Sequence, residues 1–350
     1  MANWQWVFAL SIDDEVTWAI TEANCVVNPD GEGAYRGQLR HGTLVRLRKR
    51  DCPQKVIHEC LNELKNSDPE LKDAFDTTAA VGVSTLGVVD RGDSRKPLTS
   101  CPRLTAIARK SISSSWQEHS KGCMLDFRSL LDMFGGESLA VAAENDATAF
   151  CIAEYQHHYR SIARNEVLFY ILLGDGINAG FLVSNGAVPE FPFHPEVGHI
   201  RPARYEHDRN FDAKKHTGCA KHGDCFEGLM SAVRIKRQWR QPLHMLCDDS
   251  SLGSPLDVVA AYAGALAWAG ACAIAPDRFL IGGHVVVDEL IPLIRVKFDE
   301  LNNGYLPDYP PGKTGEKSKI QPATLRQNEG IMGGLEIARR AATRCRISRA

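Results

Sequence analysis

The sequence predicts an α/β protein built as two domains around a cleft, and three observations carry this. Strand-type and helix-type apolar runs alternate along the chain. Its 350 residues exceed what one hydrophobic core usually gathers. Each half opens on two apolar runs joined by a short glycine or acid turn, "SIDDEV" at 11–16 and "GDGINAG" at 174–180. That repetition points to a duplicated architecture, although no close sequence repeat is visible.

The elements follow in order. "WVFALSI" (6–12) and "TWAITEANCVV" (17–27) read as an opening hairpin and "LVRLRK" (44–49) as a third strand. "CPQKVIHECLNELKNS" (52–67) has helical spacing, and "TTAAVGVSTLGVVD" (77–90) reads as a buried strand entering a glycine loop. "RSLLDMFGG" (128–136) reads as helical, "SLAVAAEND" (138–146) as a strand with an acidic tip, and "ATAFCIAEYQHHYR" (147–160) as a helix. The run 166–188 is a second hairpin around "GDGINAG", and 254–275 is a long Ala-rich helix. Residues 277–302 give a strand, a Gly-Gly turn and a helix; 304–319 is a Pro, Gly and Lys-rich loop; and 330–345 is a closing helix.

Composition narrows the function classes. A hydrophobic fraction of 44% and a charged fraction of 24% are ordinary for a soluble globular chain. A net charge of -2 lacks the basic footprint of a nucleic-acid binder, so the expected partner is a small molecule. The N-terminus has no basic lead before a long apolar run, and no later run reads as long enough to span a membrane; the expected location is cytoplasmic. In such a reducing compartment, clustered cysteines mean metal or catalysis more often than disulfides. Of the 11 cysteines, only Cys219 and Cys225 cluster tightly.

They lie in "GHIRPARYEHDRNFDAKKHTGCAKHGDCFEG" (198–228), a charged, glycine-punctuated stretch that offers little to a hydrophobic core. Cys219, His222 and Cys225 form C-x2-H-x2-C, spacing that can set three ligands around one zinc ion. His199 is the preferred fourth, with His194, His207 and His216 as competitors. Four protein ligands leave no open position, so the metal is expected to be structural.

Asn145-Asp146 ends an apolar strand just before a helix, where a carboxylate serves equally as helix cap or as general base in an α/β crevice. "GVSTLGVVD", "GDGINAG" and "IGGHVVV" are glycine turns beside strands, weak signals by themselves.

Taken in order, these pieces resemble the ROK family (repressor, open reading frame, kinase), and within it the bacterial fructokinase-like branch. "HPEVGHI" followed by "GCAKHGDCFEGLMSA" is similar to the family's E-x-G-H and zinc knuckle. The resemblance implies a two-domain actin-like (ribonuclease H-like) sugar kinase fold with a structural zinc knuckle. It implies an N-terminal domain over 1–145, completed by the closing helix at 330–350, a second domain over 146–329, and a homodimer. It implies sugar contacts from Gly87, Asn145, Asp146, Glu196, His199 and Glu227, with Asp146 as base, and zinc at His199, Cys219, His222 and Cys225. It implies nucleotide-side loops at Asp175, Gly176, Gly282 and Gly283, serving ATP with Mg2+.

The sequence departs from that pattern on the nucleotide side. The family's D-x-G-G-T-K hairpin reads Ser11-Ile12-Asp13-Asp14-Glu15-Val16, its second loop carries Asp175 in place of Thr, and Val88 stands where Pro is usual. Carboxylates repel phosphate where glycine N–H groups would cradle it. Three readings therefore compete: an ATP-dependent sugar kinase; a sugar- or metabolite-binding relative that has dropped ATP; and a transcriptional regulator, which the early first strand and acidic balance disfavour.

Overall fold

The structure, a computed structural model, describes residues 6–12, 15–22, 40–46, 53–85, 88–90, 103–105, 124–126, 133–134, 139–160, 165–189, 195–312, 318–325 and 329–347. Its first sheet has the order β3-β2-β1-β4-β8, with β1 (Trp6–Ile12), β2 (Glu15–Glu22), β3 (Arg40–Arg46), β4 (Thr78–Thr85) and β8 (Ala140–Asn145). β2 pairs antiparallel with β1 and β3, whereas β1, β4 and β8 are mutually parallel. Strand alternation divides this sheet by side-chain size. Phe8, Leu10 and Ile12 face α1 (Pro53–Asn66) and α2 (Pro69–Asp76), where Phe8, Phe75 and Phe134 pack with ring centroids 4.8–5.0 Å apart. Val7, Ala9 and Ala80 face α8 (Glu329–Ile347).

Small residues on that second face let a helix backbone come close. A methyl group on Gly82 of β4 would lie 1.9 Å from the Gly334 carbonyl of α8, so only glycine permits the contact. The third strand begins at Arg40, four residues ahead of its sequence-based start, and α2 was not foreseen. Asp68 starts α2 by accepting from the Glu70 N–H at 2.8 Å, with Pro69 in the first turn. A small antiparallel sheet, β5 (Val88–Asp90), β6 (Arg103–Thr105) and β7 (Met124–Asp126), is also new. Of the run read as helical at 128–136, only Met133 and Phe134 are described, and they form a buried turn.

The second sheet has the order β10-β9-β11-β12, with β9 (Leu168–Leu173), β10 (Ile177–Leu182), β11 (Arg278–Gly282) and β12 (Ile320–Pro322). The hairpin is antiparallel and β11 is parallel to β9 and β12, so the β2-β1-β4-β8 pattern recurs. This is the duplication the paired hairpins announced. One face packs on α6 (Pro255–Ile274) and α7 (Leu290–Asn302), and the other on α3 (Asp146–Glu154). Contrary to the reading that no run is long enough to span a membrane, α6 passes that test by length and composition. Its apolar surface is mostly buried, and Tyr262, Leu266 and Ala267 belong to the core. It is a core helix.

α3 and α8 lie between the two sheets. At the end of α3, where the chain passes into a π-helical turn at Tyr155–Tyr159, the fully buried Glu154 accepts from the Thr324 N–H (2.8 Å), the Thr324 hydroxyl (2.6 Å) and the Leu325 N–H (2.6 Å). It thereby ties the segment after β12 to α3. Burial raises its pKa from the ordinary 4.5 to about 7, the three donors opposing that rise. The folded protein therefore holds this proton more tightly than the unfolded chain. Stability from this group is complete below pH 4.5 and is lost as pH rises towards 7, by an amount on the order of 3 kcal/mol. Glu154→Gln should flatten the fall in melting temperature between about pH 5 and pH 8; an unchanged slope would assign the titration to another group.

Candidate active site

The parallel strands of both sheets end at one place. Ile12, Thr85 and Asn145 are in register at the carboxyl ends of β1, β4 and β8, and Leu172 and Gly282 are paired at the ends of β9 and β11. Ligands of open α/β sheets bind at such ends. Here they enclose a cavity of about 430 Å³ lined by Ser11, Ile12, Ser84, Asp146, Gly174–Gly176, Gly282, Gly283, His284, Asp288, Pro322, Ala323, Leu325 and Glu329. The Ser84 hydroxyl is buried with no hydrogen-bond partner.

The cap at Asn145-Asp146 falls to Asn145. Asn145 is the N-cap of α3; its side-chain oxygen accepts from the Ala147 N–H at 3.0 Å and from the Asn178 amide at 3.1 Å. The Asp146 carboxylate also accepts from the Ala147 N–H, at 2.7 Å, and lines the cavity. Asn178, buried on β10, was not singled out from the sequence, because an Asn in a glycine turn reads as a turn residue.

Glu196, His199 and Glu227 gather at the side of β10. The turn Val197–His199 sits against this strand so closely that a methyl group on Gly198 would lie 1.8 Å from the Ile177 carbonyl. The Glu227 carboxylate, on α4 (Phe226–Met230), accepts from the Ile177 N–H at 3.3 Å. Glu196 approaches the His199 Nε2 at 3.6 Å with one oxygen, while the other is buried with no hydrogen-bond partner. A buried carboxylate oxygen without a donor is costly.

His199, Cys219, His222 and Cys225 bring one ligand atom each to within 4.8 Å of one another. The Nδ1 atoms of His199 and His222 each lie 3.7 Å from the Cys219 Sγ, and the His199 Nδ1 is again 3.7 Å from the Cys225 Sγ. The Cys219 thiol is pushed well below its ordinary pKa by the Cys225 thiol and by His199, and the His199 imidazole is pushed up, chiefly by Cys219. The competing fourth ligands stand apart. His216 accepts from the Asp212 N–H, His207 pairs with Glu206, and His194 lies outside the described residues.

The stretch 198–228 also has a second source of order. Asp208 is buried and takes the fully buried Arg234 guanidinium at 2.7 Å and the Tyr262 hydroxyl at 3.0 Å, while Arg234 stacks on Trp239 of α5 (Ala232–Trp239) at 4.1 Å. Burial lowers the Arg234 pKa to about 10. Tyr205 and Phe211 pack on the core, so the segment contributes more apolar contact than its charged composition indicated.

Of the acids in the first turn, Asp13 and Asp14 lie outside the described residues, as does Gly87. Glu15 accepts from the Thr43 hydroxyl at 2.6 Å and does not line the cavity. Asp175 does line it, beside His284 and Asp288, neither of which the sequence reading assigned.

The ROK family model matches residues 25–341. This chain belongs to the ROK family. The match begins beyond the β1–β2 hairpin, whose turn departs from the family's loop. The ROK chain is 29% identical over 170 residues to a fructokinase of Zymomonas mobilis subsp. mobilis, 48% of this chain and 53% of that protein. It is 33% identical over 179 residues to a fructokinase of Pediococcus pentosaceus, 49% of this chain and 55% of that protein. It thus spans about half the length of these relatives.

A ROK hexokinase from Thermus thermophilus superposes with a TM-score of 0.62 at 16% identity, covering 99% of this chain and 100% of the other. A ROK family glucokinase from Streptomyces griseus, solved with glucose and AMPPNP, gives 0.54 at 18% identity over 96% and 99%. These two likenesses carry the fold, the actin-like one.

Proposed function

We propose that this ROK protein is a cytoplasmic, dimeric sugar kinase that transfers a phosphoryl group from ATP to a hexose or amino-sugar hydroxyl. The observation that carries the reading is the position of Asp146. It lines the cavity at the carboxyl ends of both sheets, and its neighbour Asn145 takes over the capping of α3. In this reading Asp146 accepts the proton of the attacking hydroxyl, the sugar oxygen forms its bond to the γ-phosphorus, and the bond to the β–γ bridging oxygen breaks to release ADP. Asn145, held by Asn178, and the carboxylates of Glu196 and Glu227 position the sugar, with the donorless Glu196 oxygen taking a hydroxyl. Mg2+ bound with the nucleotide would offset the acids of the cavity.

The four-residue cluster fits zinc. Tetrahedral Zn–S and Zn–N bonds of about 2.3 and 2.05 Å put sulfur and nitrogen ~3.6 Å apart, against the observed 3.7 Å. His199, Cys219, His222 and Cys225 would hold the ion, which would order the loop and fix the His199 tautomer.

The test is thermal shift followed by ADP release, with Mg-ATP and a panel of fructose, glucose, mannose and N-acetylated amino sugars. At least one sugar should raise the melting temperature and support ADP formation. A sugar that stabilises the protein while none supports ADP formation would favour the ATP-independent binding reading, which the acid-rich cavity motivates.

A further inference from the structure

Asp175 and His284 meet across the mouth of the cavity. Asp175 sits in the turn between β9 and β10 and His284 just after β11, with the His284 Nε2 3.5 Å from an Asp175 carboxylate oxygen. The same ring overhangs the glycine turn. A methyl group placed on Gly174 would lie 3.5 Å from the His284 Cε1 and 3.6 Å from its Nδ1. One ring nitrogen therefore meets an acid, and the other faces the backbone turn that borders the cavity.

Among the described residues the remaining titratable groups on the cavity wall are carboxylic acids: Asp146 at the start of α3, Asp288 ahead of α7 and Glu329 at the start of α8. Among the described residues no lysine or arginine lines it. Lys236 on α5 is exposed and acts on Asp175 from outside the lining, adding to His284 in lowering the Asp175 pKa. Glu329 is pushed up by burial, towards its neutral form. His284 is thus the lining side chain able to present positive charge to a phosphate.

We propose that His284, oriented by Asp175, binds the phosphate chain of the donor over the Gly174 turn, and that Asp175 serves as the imidazole's partner instead of a barrier to phosphate. This rests on the kinase reading. A carboxylate within a few ångströms favours the imidazolium, and an imidazolium N–H to a phosphate oxygen is a charge-assisted bond. An Asp–His pair at the mouth would replace the hydroxyl that Thr supplies in the family's loop. The consequence is a donor site whose strength follows the protonation of one histidine.

Calorimetry of Mg-AMPPNP binding over about pH 6 to 8 tests this without a sugar. Wild-type affinity should be highest at the acid end and fall as pH rises. His284→Ala should weaken binding roughly tenfold at the acid end and lose that pH dependence. His284→Gln should keep part of the affinity and none of the pH dependence. Asp175→Asn should move the fall to lower pH, because the imidazolium loses its partner. The ring is largely exposed, so melting temperatures of the variants should match wild type. If wild type binds Mg-AMPPNP and His284→Ala binds equally at every pH, the inference fails and the kinase reading stands. Tighter binding by Asp175→Asn across the range, with an unchanged profile, would overturn it by making Asp175 a barrier. No binding by wild type at any pH would sink the inference and the kinase reading together.

Discussion

Asp146→Asn is expected to lower the turnover of phosphoryl transfer by about a hundred- to ten-thousand-fold, the range a positioned general base supplies. Folding and sugar binding should persist. Asn keeps an oxygen for the Ala147 N–H that Asp146 accepts at 2.7 Å, and the cap of α3 belongs to Asn145. What the substitution removes is the ability to take a proton. Its KM for sugar should therefore stay within about twofold of wild type, and the defect should appear in kcat, as for a group that acts in the transition state. A variant that turns over Mg-ATP and sugar at the wild-type rate would show that Asp146 is not the base.

Much of the architecture could be read in advance because it is written in local patterns. Alternation in "WVFALSI" fixes which face of β1 carries Phe8, Leu10 and Ile12 and which carries the small Val7 and Ala9. The C-x2-H-x2-C spacing brings Cys219, His222 and Cys225 together because a tight turn leaves them little else to do. What could not be read depends on long-range contact. The buried Asp208–Arg234 pair joins residues 26 positions apart, and nothing in "EHDRN" separates this aspartate from a solvated one. Glu154 bonds to Thr324 and Leu325 across a separation of 170 or 171 residues. His284 follows a Gly-Gly turn and carried a visible signal, but its meaning rests on Asp175, which belongs to another strand's turn.

The acid content of the nucleotide side also changes meaning once the side chains are placed. Glu15 spends its carboxylate on Thr43. Asp175 meets His284, so its charge has a partner at the cavity mouth. Repulsion between a phosphate chain and these two acids is weaker than a count of carboxylates implies, because a paired charge presents a dipole in place of a monopole. Glu15 and Asp175 therefore argue less against the kinase reading than their charges alone suggest.

If the knuckle holds zinc as proposed, Cys219→Ser and Cys225→Ser should each abolish its binding and lower the melting temperature by more than about 5 °C. Structural zinc contributes roughly 10–16 kcal/mol in small zinc peptides, and a domain of this class loses ~2–4 °C per kcal/mol. Part of the segment should nevertheless hold, because Asp208 remains anchored to Arg234 and Tyr262 whether or not the knuckle is loaded. The damage should concentrate at His199. With Cys219 absent, the ring keeps the Cys225 sulfur, the His222 ring at 4.8 Å and the approach of its Nε2 to Glu196, so Glu196 and the proposed sugar pocket should loosen. The expected signature is a raised KM for sugar with kcat preserved, the reverse of Asp146→Asn. Metal analysis after gel filtration decides the ligand set: one zinc per chain in both serine variants would place the ion elsewhere. A zinc-free variant with unaltered sugar KM would separate the metal from the pocket and leave it a purely local staple.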